Sequence, residues 1–271
     1  MFKGILMNYY RNILTLIGLG ILSVGSILQA EAMNVLENPI LEINRIHNAI
    51  KIDGNLTELE WGKAKGTDYF LEIEPGENTT PAEKTEVKVA YDDKNLYVAF
   101  WAFADPKDIR ASFQKRDQAW MDDFVAIFLD TYGNANTGTM IGANPYGIQM
   151  DAKNNGGGDD DPTFDLVYES KGMITDEGYQ VEMAIPFSSL SFPDKEVQEW
   201  KVGFYRSLPR EKRSQIVWGG FDRTNPCFLC QMGTLKGIQG IKQRGSFEFL
   251  PAVVGSQVSE LDQNNTLQKG T

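Results

Sequence analysis

The distribution of apolar and polar residues along the chain predicts many short strands and gives almost no sign of helical periodicity. The clearest strand runs from Phe124 to Leu129, where apolar residues occupy both faces and include the β-branched Val125 and Ile127. Acidic residues bracket this run: Asp122, Asp123 and Asp130. A short apolar run with charges at both ends is typical of a buried strand rather than a helix.

The same reasoning predicts a β-hairpin and several further strands. Val87, Val89 and Tyr91 share one face of a strand, residues 92–95 have turn chemistry, and residues 96–103 are apolar on both faces. Further strands are predicted over residues 50–52, 69–73, 140–150 with an interruption at 145–147, 164–170, 173–175, 179–185, 200–204, 216–218 and 246–250. A short helix reaching residues 61–64 is predicted behind a capping box of Asn55 and Glu58. Many short strands separated by turn residues indicate an all-β fold, a β-sandwich.

Trp120 is the first candidate functional residue. It has the same parity as Phe124 and Phe128, so it shares their face if the strand geometry extends back to it. An aromatic ring at the mouth of a strand, with carboxylates beside it, suits stacking on a sugar ring. The alternative is that Trp120 only caps the core.

Residues 1–32 are predicted to be a signal peptide. Lys3 and Arg11 give a positive start, residues 13–28 are apolar, and Ala30-Glu31-Ala32 is a small-residue cleavage pattern. The alternative is an uncleaved N-terminal anchor. In both cases the rest of the chain is expected to be exported, to the periplasm, the outer membrane or the cell exterior.

The net charge and the histidine content each argue against one class of function. The 271 residues carry a formal net charge of −11, which argues against a nucleic acid as partner. The single histidine, His47, excludes a site built from several histidines. A basic stretch at residues 206–213 is interpreted as a solvated hairpin, and the alternative is a contact for uronic-acid polymers or for a barrel partner.

Cys227 and Cys230 are the only cysteines. In an exported chain this spacing predicts a small disulfide loop. A redox pair is the alternative, and one such pair supplies only half of a zinc site.

Several segments together resemble the family 9 carbohydrate-binding modules, which are β-sandwiches that accompany polysaccharide-degrading enzymes. They are Ile52-Asp53-Gly54 with Trp61 and Ala64, residues 89–99, residues 123–130, residues 178–186, and Gly233-Thr234-Leu235. The resemblance covers roughly residues 50–236 and implies a non-catalytic module that binds carbohydrate and works beside partner glycoside hydrolases. Residues 45–240 are therefore expected to form the sandwich domain.

A subgroup of exported bacterial proteins, in which such a module precedes an outer-membrane β-barrel, is more similar still. Residues 122–125, 144–151, 185–187 and 247–251, with Arg206 and Arg210, carry this likeness. It implies that residues 241–271 are the start of a truncated barrel strand and a polar tail. The alternative function is accordingly a non-catalytic interaction or plug-like module of a barrel protein with a degenerate sugar site.

The family resemblance also implies roles for single residues. Trp120 and Phe228 are expected to clamp the terminal sugar of a plant or microbial polysaccharide between two rings, and Asn144 is expected to bond a hydroxyl. Two positions depart from the family pattern: Ala126 replaces an acidic residue and Ser207 replaces a longer amide. We therefore expect weak binding with reduced polar specificity.

A structural calcium ion is a further expectation, because the family includes calcium-binding members. Asp159, Asp160 and Asp161 follow three glycines, and an acidic loop of this kind can wrap a hard cation. Asp53, Asp122 and Asp151 are alternative ligands, and a solvated loop without a metal is the alternative for the segment.

Overall fold

A computed structural model describes residues 38–156, 159–243, 259–261 and 267–269. The predicted signal peptide and the predicted strand at 246–250 lie outside these residues. Within the described part of the chain, no helix is long and apolar enough to cross a membrane.

Short strands make up most of the described chain. In order they are β1 (Ile40–Glu42), β2 (Lys65–Thr67), β3 (Phe70–Glu74), β4 (Thr85–Tyr91), β5 (Asn95–Phe103), β6 (Phe124–Asp130), β7 (Gly138–Ala143), β8 (Gln149–Asn155), β9 (Asp159–Asp161), β10 (Glu169–Thr175), β11 (Gly178–Pro186), β12 (Val197–Pro209), β13 (Arg213–Trp218), β14 (Gly233–Gln239), β15 (Ser259–Leu261) and β16 (Leu267–Lys269). One α-helix, α1, spans Leu59–Lys63, and 3-10 turns occupy Pro106–Asp108, Phe187–Ser189 and Leu229–Gln231.

Two sheets pack face to face. The larger has the order β1-β14-β12-β6-β7-β8-β9, with β13 pairing to both β12 and β3, and the smaller has the order β10-β11-β5-β4-β2. The β1–β14 pair is parallel, and the pairs from β6 to β9 are antiparallel. Among the described residues, β15 and β16 pair with each other as a separate two-stranded sheet. The predicted all-β sandwich is confirmed, and β1 extends it ahead of residue 45.

The central strand β6 is buried on both faces, as its sequence predicts. Val125, Ile127 and Leu129 point into the core between the sheets. Phe124 and Phe128 belong to a second apolar cluster on the opposite face of the larger sheet. This outward face can be apolar because loops of the chain cover much of it. The same loops contribute to the site described below.

The structure also corrects several predicted elements. The predicted hairpin is confirmed as β4 and β5, with Tyr91 opposite Leu96. Residues 140–150 form parts of two strands rather than one, because the chain reverses between Asn144 and Ile148. Residues 169–175 are a single strand, and residues 50–52 belong to no strand.

The predicted capping box is wrong, because α1 begins after Glu58, whose side chain makes no cap hydrogen bond. The turn before the helix is instead held from a distant strand. The buried carboxylate of Glu182 accepts hydrogen bonds from the backbone N–H groups of Asp53 and Gly54 and from Nε1 of Trp61. This carboxylate therefore provides the acceptor for three donors near the helix.

Candidate functional site

A groove of about 440 Å³ lies on the outward face of the larger sheet. Pockets of this size accept small ligands. Six aromatic rings line it: Trp120, Phe124, Tyr205, Phe128, Phe228 and Phe221. Phe124 and Phe128 come from β6 and Tyr205 from β12, while the other three rings come from loops.

The six rings form one continuous strip. In the order given, consecutive ring centroids lie 5.9, 5.6, 6.1, 4.9 and 5.6 Å apart. Most of these contacts are edge-to-face or tilted, which is the geometry that aromatic pairs prefer. Trp120 and Phe228 are therefore brought to the same groove but are linked through three intervening rings. The arrangement is a continuous strip rather than a pair of facing rings: Phe124 and Phe128 are buried in its floor, and the rings from the loops are partly exposed.

Trp120 reaches the groove by a turn and not by an extended strand. The backbone N–H of Asp122 bonds the carbonyl of Ala119, so the strand geometry ends at β6. The ring still packs edge-on against Phe124, and it is only partly buried. The predicted face is therefore correct, although the extended geometry assumed for it is wrong.

Asn144 does not contribute to the groove, and its predicted hydroxyl-binding role is wrong. The side chain is completely buried. Its Nδ2 donates to the carbonyl of Ser112 and to Oδ2 of Asp122, at 2.9 Å each. Its Oδ1 accepts from the backbone N–H groups of Tyr146 and Ile148. All of its hydrogen-bonding groups are used to hold the β7–β8 turn and the loop that carries Trp120.

Ala126 and Ser207, the two positions that depart from the family pattern, are buried and place no polar group in the groove. Ala126 is buried in the floor cluster between Phe124 and Phe128. Ser207 is also buried, and its Oγ lies 2.5 Å from NH1 of Arg213, which donates to it.

Polar groups line the two edges of the groove instead. At one end Asn154 on β8 and Asp160 on β9 face each other, with Asn154 Nδ2 donating to Asp160 Oδ1 at 2.7 Å. At the other end Arg223 lies 3.6 Å from Glu74, and both line the groove. Sequence reasoning named Asp160 only as a calcium ligand and missed the other three, although Asn154 has the parity of Met150 and so could have been placed on this face.

Tyr205 holds the middle of the strip. Its hydroxyl donates to Oε1 of Gln215 on the neighbouring strand β13, at 3.0 Å. Burial raises the pKa of Tyr205 to about 12, and a hydrogen bond with Ser207 opposes that shift. The phenol therefore stays protonated and keeps this hydrogen bond at any physiological pH.

We expect the free energy of unfolding to fall as the pH rises above about 10. Burial raises the pKa of both Tyr97 and Tyr205 to about 12 from the ordinary value of 10.0. Between these values the unfolded chain has lost phenolic protons that the folded chain retains, so stability decreases with increasing pH. Urea unfolding at pH 8, 10 and 11 measures the effect. The variant Tyr205→Phe should show a shallower decline, and an equal decline would contradict the assignment.

Cys227 and Cys230 are joined as a disulfide, with Cα atoms 5.4 Å apart. The loop that they close contains Phe228 and Leu229, and Phe228 contacts Phe128 in the floor of the groove. The bond therefore stiffens the segment that delivers one ring of the strip.

We expect thiol titration of the unfolded, unreduced protein to find no free thiol. The closed loop spans a sequence separation of only three residues. Chain entropy then predicts that the double variant Cys227→Ser with Cys230→Ser loses only about 2 kcal/mol of stability. Two titratable thiols per chain would show that the bond does not form.

The predicted acidic loop is a strand, which corrects that part of the calcium expectation. β9 spans Asp159–Asp161 and pairs with β8. Asp160 is bonded to Asn154, and Asp161 accepts from the backbone and the hydroxyl of Thr163. These contacts pull the two carboxylates to different partners, so they do not converge on one ion.

Among the described residues, one acidic group has ligand atoms within 4.8 Å of one another: Asp117, Asp151 and Asp165. Arg116 lies among these carboxylates, bonded to Asp151 and 3.0 Å from Asp165. The guanidinium supplies the positive charge that a cation would bring, so this set does not fit calcium. Asp53 and Asp122, the other alternative ligands, bond Lys51 and Ser112 respectively. Calcium binding stays a prediction, for which the residues that the structure describes offer no fitting set of three acidic ligands.

The basic stretch is buried in part. Arg206 is completely buried, and its guanidinium donates to the carbonyls of Lys84 and Phe103 and to Glu83. Arg210 bridges Glu83 and the buried Asp123. The interpretation as a solvated hairpin fits the exposed Lys212 but is wrong for Arg206. Since both guanidinium groups are used internally, neither is available for the alternative contact with uronic-acid polymers.

Comparison with known proteins agrees with this architecture. The family model described as "Carbohydrate family 9 binding domain-like" matches residues 52–213. No curated protein matches the chain. A structure from Bacteroides uniformis ATCC 8492, provisionally described as a carbohydrate-binding protein, has a TM-score of 0.60 and 14% identity, covering 74% of this chain and 100% of its own.

Two structures of a family 9 carbohydrate-binding module from Caldicellulosiruptor kristjanssonii are also similar. The complex with cellotriose has a TM-score of 0.49 and 17% identity, covering 79% of this chain and 100% of its own. The complex with glucose has a TM-score of 0.49 and 18% identity, covering 78% and 100%. Because the family model spans more than half of its residues, this chain belongs to the carbohydrate family 9 binding domain-like family.

Proposed function

We propose that this protein binds an oligosaccharide along the aromatic strip on the outward face of its larger sheet. The observation that carries the proposal is the strip itself, six rings in consecutive contact with polar groups at both ends. Aromatic faces bind the apolar C–H faces of pyranose rings, and polar groups at the ends fix the orientation. The modules that bind cellotriose and glucose belong to the same family and support this assignment.

The span of the groove across the sheet favours several sugar units over one. Its polar edges lie on β9 and β3, the two ends of the strand order β9-β8-β7-β6-β12-β13-β3. Strands in a sheet are about 4.8 Å apart, so six steps cover roughly 29 Å along the sheet surface. A sugar unit adds about one strand spacing, and a short oligosaccharide is therefore the matching ligand.

We propose that the protein is not catalytic. A glycosidase needs two carboxylates about 5 to 9.5 Å apart across the scissile bond. The groove carries Glu74 and Asp160 at its opposite ends, with five strands between theirs, and each is engaged by a neighbouring side chain. The chain would then act by holding glycan for glycoside hydrolases that work beside it.

Isothermal titration of the protein with soluble β-linked oligosaccharides tests the proposal. We expect dissociation constants on the order of 0.1 to 1 mM, or about 4 to 5.5 kcal/mol, since Ala126 and Ser207 give the groove no polar group. Trimers should bind more tightly than single sugars. No binding of any soluble or insoluble glycan at millimolar concentration would contradict the proposal and favour an interaction module of a barrel protein.

We also propose that the protein is exported. The basic start, the apolar run at 13–28 and the small-residue pair at Ala30 and Ala32 carry this proposal. Cleavage after Ala32 is expected, so N-terminal sequencing of the mature form should begin at Met33. Recovery of the full-length chain from the cytoplasm would contradict it.

A further inference from the structure

Gln215 brings a polar side chain to the middle of the aromatic strip rather than to an edge of the groove. It lies on β13, beside Tyr205 of β12, and it lines the groove. The phenol of Tyr205 donates to Oε1 of Gln215 at 3.0 Å. Nε2 has no hydrogen-bond partner among the residues that the structure describes, and protein atoms do not enclose it. The amide therefore keeps its N–H donors for a ligand in the groove.

A chain of donors fixes which end of the amide faces Tyr205. Arg213 can only donate, so Oγ of Ser207 accepts from it and the hydroxyl hydrogen of Ser207 is left for another acceptor. Ser207 shares a face of β12 with Tyr205. Burial raises the pKa of Tyr205 to about 12, and the hydrogen bond with Ser207 lowers it, as a bond donated to the phenol oxygen does. The phenol hydrogen then points to Oε1 of Gln215, and Nε2 is directed away from Tyr205.

The place of this donor suits a sugar that lies on the strip. A pyranose that stacks on an aromatic ring turns its C–H face to the ring and holds its hydroxyls around its own rim. Groups beside the aromatic ring, and not beneath the sugar, therefore reach the hydroxyls. Gln215 is one strand away from Tyr205, about 4.8 Å across the sheet, so its amide stands at the side of the strip.

The charges beside Gln215 favour a neutral partner. Glu74 lies opposite Gln215 in the register of β3 and β13, and Arg223 lies 3.6 Å from the carboxylate of Glu74. The negative and the positive side chain offset each other, so this part of the groove has little net attraction for a carboxylate. A hydroxyl oxygen, which an amide N–H bonds without any charge, fits these surroundings better.

We propose that Nε2 of Gln215 donates a hydrogen bond to one hydroxyl oxygen of the bound sugar, which makes Gln215 a specificity-determining residue of the groove. This inference rests on the proposed function and names one group through which that site selects its ligand. Tyr205 is then a positioning residue, because it holds the amide by Oε1 and leaves the donor end free. A sugar that lacks this hydroxyl loses the bond and binds more weakly.

A cycle of changes in the protein and in the ligand tests the assignment. The ligands are the β-1,4-linked glucose trimer and three analogues whose units lack the hydroxyl at C2, C3 or C6, titrated by NMR chemical shifts. Gln215→Met keeps the length of the side chain and removes the amide. We expect it to weaken binding of the glucose trimer about fivefold, as the loss of one neutral hydrogen bond does. For one of the three hydroxyls, the affinity lost on its removal should be about fivefold smaller in Gln215→Met than in the wild type.

Gln180→Met is the matched control. Gln180 is also half-buried, and its Oε1 accepts from the backbone N–H of Leu56, but it lies on β11 of the smaller sheet and does not line the groove. This variant should keep the affinity of the wild type and the same loss for each hydroxyl. Equal losses in Gln215→Met and the wild type for all three hydroxyls would overturn the subsite while leaving the proposed function standing. Failure of the wild type to bind the glucose trimer would refute the subsite, and failure with every other glycan would refute the proposed function as well.

Discussion

Trp120→Ala is expected to abolish detectable oligosaccharide binding while leaving the melting transition nearly unchanged. The ring ends the aromatic strip, is only partly buried, and packs edge-on against Phe124. Removing the ring takes away apolar contact area that only the ligand covers fully. The loss of an aromatic anchor of this kind lowers the affinity tenfold or more. From a starting value of 0.1 to 1 mM, such a loss moves binding beyond the range of titration, whereas the melting temperature should fall by less than about 4 °C.

Phe113→Ala is the matched control. Phe113 is 79% exposed, stacks on Tyr146 with centroids 4.1 Å apart, and does not line the groove. Loss of this aromatic ring should leave sugar affinity unchanged. If Trp120→Ala instead unfolds the protein, Trp120 is a core residue, and if it binds sugar as well as the wild type, the strip is not the binding surface.

The largest expected loss of stability follows from Arg206→Ala. The guanidinium is completely buried. It donates four hydrogen bonds of 2.9 to 3.1 Å, to the side chains of Glu83 and Thr85 and to the carbonyls of Lys84 and Phe103. Truncation removes these four bonds and the ion pair with Glu83, and breaking a buried ion pair from one side costs about 3 to 5 kcal/mol. Urea unfolding followed by tryptophan fluorescence measures the change.

Two further variants sharpen this test. Arg206→Lys keeps the charge but loses the planar fork, so an intermediate loss of stability is expected. Arg110→Ala removes an exposed arginine whose backbone, and not its side chain, contacts Asp123, and it should cost less than about 0.5 kcal/mol. A loss below about 1 kcal/mol for Arg206→Ala would show that the buried network contributes little.

Local sequence pattern was sufficient for the strands and for part of the site. β6 is recognisable because a short apolar run bounded by aspartates has few alternatives to a buried strand, and the β4–β5 hairpin is recognisable from alternation around a turn. Trp120 is noticeable in the sequence as a large ring beside a strand, whereas Phe228 came from the family resemblance, which implies a second clamp ring in the loop before Gly233.

The sequence did not separate groups that face a ligand from groups that face the protein. Asn144 directly follows β7 and Arg206 lies on β12, where polar residues are often exposed, but both are buried and make their hydrogen bonds inside the protein. Their partners lie far along the chain, such as Thr85, 121 positions from Arg206. A sequence pattern of period two reports which face a side chain takes but not what the opposite sheet or a distant loop brings to that face.

The sequence by itself determined the fold class, the aromatic richness of β6 and the cysteine loop, because each depends on residues that are neighbours in the chain. Only the tertiary structure decided which polar groups reach the groove. Asn154 and Asp160 meet because the register of β8 and β9 sets them opposite each other, and Tyr205 and Gln215 meet because β13 folds back on β12. Strand register is fixed by the packing of whole faces against a core, so contacts between strands depend on the assembled sandwich.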